Sequence, residues 1–307
     1  MKNILLIDTS ALLHKAKHTL GGKLSHKEAD TGILFGFLSQ VGKLCNKYQT
    51  NRIVFALDSR TSKRKKLYPE YKSTRKAEKT PAEKAFDDYC HERFDEVVDV
   101  IKNRLHFKNV WKSEGYEADD IIATFLLDNP ELGKSSVIVS SDNDYYQLLH
   151  KCRGMHNSKD TLYTKRHFIQ EWGIHPRDWR TVKRISGCSG DSVSSVPGVG
   201  YKTAVNYLKG TATDSKVKLI ESEEMIPVMR MASKLTRLPF DKNIALPDFE
   251  ENYLCFDDLL EICSIYGFNS IVADRDRFNM WEKIFNGDFI SKKIQRDAQG
   301  KGKRIKF

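Results

Sequence analysis

No stretch of this 307-residue chain is apolar enough for a leader core or a bilayer span. The N-terminus offers only Ile4-Leu5-Leu6-Ile7 before Asp8 interrupts, against ~7–15 apolar residues for a leader core and ~20 for a span. The expectation is a cytoplasmic protein that does not enter a membrane. Only 8 prolines and 18 glycines are present, which excludes collagen-like and long low-complexity segments. The six cysteines (45, 90, 152, 188, 255 and 263) form no CxxC pair and no Cys/His set at zinc spacing. Free thiols in a reducing compartment are expected, and neither a disulfide scaffold nor a zinc finger.

Anionic charge is also in short supply. Lys and Arg outnumber Asp and Glu to give +10. That favours a polyanionic partner, with nucleic acid ahead of an anionic membrane surface; a merely basic soluble protein would share the same composition. Local distribution decides. Residues 60–79 carry nine Lys/Arg against two Glu, and residues 291–307 carry seven against one acid with little apolar content. The second stretch reads as a mobile basic tail.

Three short apolar runs end near an aspartate: 4–7 before Asp8, 53–57 before Asp58, and 137–139 followed by Ser140, Ser141 and Asp142. Aliphatic runs of this length read as buried parallel strands. Leu34, Leu38, Val41 and Leu44 mark one intervening helix, and Phe94, Val97, Val98, Ile101 and Leu105 mark another. Alternating strands and helices predict an α/β fold with a mostly parallel central sheet and flanking helices. Ligands of such sheets sit beyond the carboxyl ends of the strands, where these aspartates would converge. One aspartate after a strand is commonly a cap; three together are not explained that way. From about Pro176 the chain turns helical, so a first, sheet-bearing unit at 1–175, a smaller helical unit at 176–275 and an extension at 276–307 are expected.

Glu117-Ala118-Asp119-Asp120 precedes an apolar helix. A helix dipole favours acids in its first turn by ~0.3–1 kcal/mol each. Two carboxylates ~4 Å apart repel by roughly 4 kcal/mol at an effective dielectric of ~20, so three crowded together call for a cation. With Asp8, Asp58, Asp142 and Asp144, and Asp191 further on, the donors are hard oxygens without His or Cys partners. That set suits two Mg²⁺ or Mn²⁺ ions clamping a phosphoryl displacement.

In order and spacing these motifs resemble the 5′-nuclease family: phage 5′-exonucleases and flap endonucleases and the 5′-nuclease domain of bacterial DNA polymerase I. The similarity runs from Asp8 to about Leu208 through Leu6-Ile7-Asp8, Ala56-Leu57-Asp58, Tyr71-Lys72 with Arg75, the 117–120 cluster, Ser141-Asp142-Asn143-Asp144, and Gly190-Asp191 followed by 197–204. It implies one metal held by Asp8, Asp58, Glu117 and Asp119 and a second held by Asp120, Asp142, Asp144 and Asp191. The family carries a further aspartate three residues before the match to Asp191, and here that residue is Cys188. A neutral thiol is a poor Mg²⁺ ligand, so weaker second-metal binding is expected. The implied activity is hydrolysis of DNA at 5′ ends and flaps in primer removal or repair. The other reading is a branched-DNA binder that cuts poorly.

Lys72 and Arg75, three apart, would share a face of a helical turn, with Tyr71 free to stack on a base. The resemblance makes them active-site cations beneath a helical arch of residues 70–105. Two glycines, Gly198 and Gly200, precede a helix carrying Ala204, Val205 and Leu208, as a backbone-binding loop requires. Ser195 and Tyr201 exclude a Walker loop. The segment resembles the family's helix–three-turn–helix, which implies phosphate contacts from Lys183 and Lys202 and a bound K⁺. His14 and His18 read as surface or DNA-facing residues, and the four tryptophans as packing residues. A monomeric, separate polypeptide is expected, its basic tail either adding to DNA binding or engaging another replication protein.

Overall fold

The apolar runs become strands because β-branched and aliphatic residues fit a sheet covered on both faces. The computed structural model describes residues 2–74 and 80–289. Its main sheet comprises β1 (Ile4–Asp8), β2 (Ile53–Leu57), β3 (Val110–Lys112), β4 (Ser136–Val139), β5 (Gly154–His156) and β6 (Leu162–Tyr163). The spatial order is β3-β2-β1-β4-β5-β6. All pairings are parallel except β5 with β6, which is antiparallel. The expected mostly parallel sheet is therefore present. Chain order runs outward from β1 to β2 and β3 on one side and from β4 to β5 on the other, so the switch point lies between β1 and β4. Register places Asp8 opposite Ala56 and Ile7 opposite Val139, which brings the carboxyl ends of all three central strands level.

Side chains alternate along each strand and divide the core in two. Leu5, Ile7, Ile53, Phe55, Val137 and Val139 face one cluster, and Ile4, Leu6, Val54, Ala56 and Ile138 face the other. The first is covered by α1 (Thr9–Leu20), α2 (Gly32–Tyr48) and α4 (Pro81–Asp99), the second by α5 (Ala118–Asp128) and the helices after it. Helix α2 buries Ile33, Leu34, Phe37, Leu38, Val41 and Leu44 at three-to-four spacing. Helix α4 starts sharply because Thr80 and Glu83 form a reciprocal capping box with Pro81 at the first turn.

Helices α6 (Lys165–Trp172), α7 (Trp179–Ser186), α8 (Tyr201–Leu208), α9 (Asp214–Ile220) and α10 (Met225–Thr236) supply residues to the second cluster or pack against it. Helices α11 (Phe256–Tyr266) and α12 (Arg275–Asn286) return to the first, through Leu259, Ile262, Trp281 and Phe285. The chain boundary drawn at 275/276 thus falls inside α12, and α11 and α12 share a cluster with α2, not with α7–α10. Gly42 in α2 lets the Trp281 ring in, since a Cβ there would lie 2.6 Å from it. Trp111, Trp179 and Trp281 are buried and Trp172 stacks edge-on to Trp179 at 4.9 Å, as packing residues should. The basic tail lies outside the described residues.

Candidate metal centre and nucleic-acid interface

A cleft of about 260 Å³ opens at the switch point, lined by Asp8, Asp58, Glu117, Asp119, Asp142, Asp144 and Asp191, with Lys72, His14 and Tyr145. Each element delivers its carboxylate for a local reason. Asp8 ends β1 and caps α1, accepting from the Ala11 N–H at 3.1 Å. Its other oxygen accepts from Ser140 Oγ at 3.2 Å and Tyr145 Oη at 3.3 Å. Asp58 follows β2 and accepts from the Ala118 N–H at 2.8 Å, tying that strand to the start of α5. Asp142 follows β4 and accepts from the Asp144 N–H at 2.8 Å.

Burial, then the neighbouring Asp58 and Asp142, pushes the Asp8 carboxyl up to about 7 against the pull of its hydrogen bonds. Burial also raises Asp119 well above the carboxylate range, with Asp120 and Glu117 adding to it against Arg64. Asp119 Oδ1 is a buried oxygen without a hydrogen-bond donor. Glu117 behaves differently. Burial would raise it, but Lys72 Nζ at 2.9 Å from Oε1, Arg64 and the Tyr71 hydroxyl at 3.0 Å from Oε2 hold it below its ordinary value. The donor-less Asp119 oxygen, with Arg64 Nη1 3.8 Å away, and the Asp8 carboxyl crowded by Asp58 and Asp142 form the environment a hard divalent cation fits.

Four expected residues are placed otherwise than the sequence implied. Asp120 is fully buried and points away from the cleft. It takes a bidentate grip from Arg64, 2.5 Å to Nη1 and 2.8 Å to Nη2, plus the Phe240 N–H at 2.7 Å and the Glu117 N–H at 3.2 Å. These donors fill its acceptor positions, and it does not line the cleft. Tyr71 is 4% exposed with its hydroxyl on Glu117, so it orients a carboxylate and has no free face for a base. Lys72 sits in a left-handed turn at φ 58°, not on a helical face, and its N–H donates to the Asp191 carbonyl at 2.9 Å. Arg75 lies outside the described residues. Lys183 is fully buried, ion-paired with Asp144 and bonded to Tyr201 Oη at 3.0 Å. Its ammonium is held by Asp144 and closed to solvent, out of reach of a phosphate at the surface.

Asp144, Cys188 and Asp191 come together with ligand atoms within 4.8 Å of one another. Burial pushes Asp144 up to about 6 despite Lys183. Burial pushes the Cys188 thiol up to about 11, Lys183 opposing, and its Sγ lies 3.6 Å from Asp191 Oδ2. The weak corner expected at Cys188 is therefore within reach of two carboxylates. The loop before α8 is anchored by buried Val196 and Val199 and leaves Gly198 and Gly200 exposed. Gly198 has φ 66°, and nothing lies within 4 Å of where a Gly200 Cβ would be. Lys202 is exposed on the first turn of α8, and Lys216 of α9 reaches over Gly198.

Sequence reasoning counted Arg64 only as one of a basic run and did not single out Ser140 or Tyr145. His14, expected at the surface or facing DNA, is exposed and lines the cleft, edge-on to Phe94 at 5.4 Å.

A parallel sheet covered on both faces, with seven carboxylates gathered at its switch point, defines a divalent-metal-dependent hydrolase of phosphate esters. Residues 3–173 match the family described as 5′-3′ exonuclease, N-terminal resolvase-like domain, and the chain belongs to that family of metal-dependent nucleases. A 5′-3′ exonuclease of Buchnera aphidicola is 24% identical over 290 residues, covering 87% of this chain and 98% of the relative. DNA polymerase I of Bacillus subtilis is 28% identical over 242 residues, 76% of this chain but 26% of the polymerase. The crystal structure of the phage T5 D15 protein with metal ions superimposes with a TM-score of 0.64 at 19% identity, covering 93% of this chain and 99% of that one. Among the described residues no helix is long and apolar enough to cross a membrane.

Proposed function

We propose that this chain is a structure-specific 5′-nuclease, cutting DNA at 5′ ends and flaps during primer removal or repair. Asp8, Asp58, Glu117 and Asp119 would hold one Mg²⁺ or Mn²⁺, and Asp142, Asp144 and Asp191 a second, with Cys188 beside it. The carrying observation is the buried Asp119 oxygen without a hydrogen-bond donor, in the same cleft as the Asp8 carboxyl that Asp58 and Asp142 crowd. When bound, such ions supply an activated water and charge stabilisation at the leaving oxygen.

The protein's own part is positioning. Ser140 and Tyr145 fix Asp8, the α5 N-terminus fixes Asp58, and Tyr71 fixes Glu117. Lys72, on a loop tied to Asp191, holds a positive charge at the cleft wall where a scissile phosphate would lie. The exposed 198–202 loop would grip the duplex backbone without reading bases, with its carbonyls available to K⁺. Helix α4, inside the 70–105 stretch expected as the arch, would flank the path of the 5′ strand; residues 75–79 lie outside the described residues. The solved T5 D15 flap endonuclease complexed with DNA and metal ions, and human GEN1 with a Holliday junction, are consistent with this substrate class.

A 5′-flap substrate with Mg²⁺ should be cut and the same mixture with EDTA should not; shape-selective binding without any metal-dependent product would refute the enzyme reading. Lys72→Ala should lower kcat by about 10²–10³-fold, the scale for one lost electrostatic donor, with a smaller effect on flap binding. Single-turnover kinetics at saturating enzyme check it.

A further inference from the structure

A second pocket, of about 310 Å³, adjoins the acidic cleft on the α1/α2 face of the sheet. The two share Ala11, Ser140 and Ser141 as a common wall. Its floor is apolar: Leu12 of α1, Leu44 of α2 and Val139 at the end of β4. Its rim is cationic, with Lys15 from α1 and Lys43 and Lys47 from α2. The opposite wall beyond β5 offers Asn157 and Ser158, and Gln40 adds an amide. Lys47 is held by Asp160 at 2.8 Å, the one carboxylate at the rim. Lys15 and Lys43 are exposed and have no ion-pair partner among the described residues.

An apolar slot lined by amides and hydroxyls, ringed by more positive than negative charge and adjoining the acidic cleft across a shared wall, suits a flat heterocycle bearing a phosphate. We propose that this pocket is a nucleoside monophosphate subsite, the base lying on Leu12, Leu44 and Val139 and the phosphate facing Lys15 and Lys43. Its position beyond the carboxyl end of β4, beside the switch point, is where open α/β sheets bind ligands. For its ligand class the inference rests on the nuclease reading. The same chemistry arises from the terminal unit of a bound strand and from a released mononucleotide product.

The test keeps metal chemistry out. Full-length protein in EDTA is titrated with thymidine 5′-monophosphate by calorimetry, beside thymidine, inorganic phosphate and a 5′-phosphorylated tetranucleotide. Saturable binding of the monophosphate, tighter than either fragment alone, is expected. Ser158→Trp, which plugs the mouth from an exposed loop, and Lys15→Glu with Lys43→Glu should each weaken it roughly tenfold, the scale of one or two charge-assisted contacts. Lys65→Glu with Lys66→Glu, both exposed on α3 (Lys63–Leu67), should not. Tighter tetranucleotide binding assigns the pocket to a strand end, and weaker binding assigns it to released product. Equal binding of inorganic phosphate, or equal losses from the α3 pair, would reduce the pocket to a diffuse basic surface and overturn the proposal. Flap cleavage in Mg²⁺ is read separately, so a nuclease without the subsite and a subsite without the nuclease give different results.

Discussion

Asp8→Asn should abolish Mg²⁺-dependent cleavage, by about 10³-fold or more in kcat/KM, while making the metal-free protein more stable. The loss follows from removing a charge that, in the proposed metal centre, would hold an ion contributing several kcal/mol in the transition state. The gain in stability comes from the same charge. The Asp8 carboxyl is raised from 3.8 to about 7 by burial, Asp58 and Asp142, so ionising it at neutral pH in the empty fold is unfavourable. Between those two values the folded chain keeps a proton that the unfolded chain has released. Stability of the metal-free wild type therefore falls as pH rises through this window, and Asp8→Asn should flatten that slope. Asparagine is a good N-cap, so α1 keeps its start. Mg²⁺ should then raise the melting temperature of the wild type and do so less for the variant. Thermal melts at pH 5 and pH 7.5, with and without Mg²⁺, read all of this. A variant less stable than wild type at pH 7.5 without metal would show that Asp8 is a structural cap first.

The strands, the switch point and the convergence of carboxylates were legible because they depend on pattern alone. Short aliphatic runs ending in aspartate and separated by helical patterns fit a covered parallel sheet, and register then brings Asp8, Asp58 and Asp142 to one edge. What could not be read was which way individual charged side chains turn. Adjacent residues on a helix diverge by about 100°, so Asp119 and Asp120 could not both face one cleft. The Glu117 to Asp120 spacing is that of a capping box, and it is the one structural hint that Asp120 swings back. Lys183 carried a similar hint. It lies four residues after Trp179 and next to Val182, on the stripe that α7 buries. Tyr71 offered none: its burial follows from Val193, Ala232 and Leu235, which are distant in sequence. The basic run 63–66 concealed a division of labour as well, since Arg64 turns inward while Lys65 and Lys66 stay in water.

Arg64→Ala should cost about 3–5 kcal/mol of folding free energy, because it strands the buried Asp120 carboxylate. Arg64 is 2% exposed. Its guanidinium holds both Asp120 oxygens, and its Nε donates to the Leu235 carbonyl at 2.8 Å, joining α3, α5 and α10. Lysine cannot reproduce a bidentate fork, so Arg64→Lys should recover little. Arg64→Met combined with Asp120→Leu removes both charges together and should regain most of the lost stability, a coupling that a double-mutant cycle in urea measures. The double variant also decides what Asp120 does. If its carboxylate serves only this clamp, the refolded double variant cuts a 5′ flap with Mg²⁺ within about tenfold of wild type, the scale of an indirect effect on neighbouring ligands. Asp119→Asn, one residue away on the cleft side, should lose far more activity without loss of metal-free stability, since burial raises this carboxyl too. A double variant that is stable and binds DNA but does not cut would return Asp120 to the metal set.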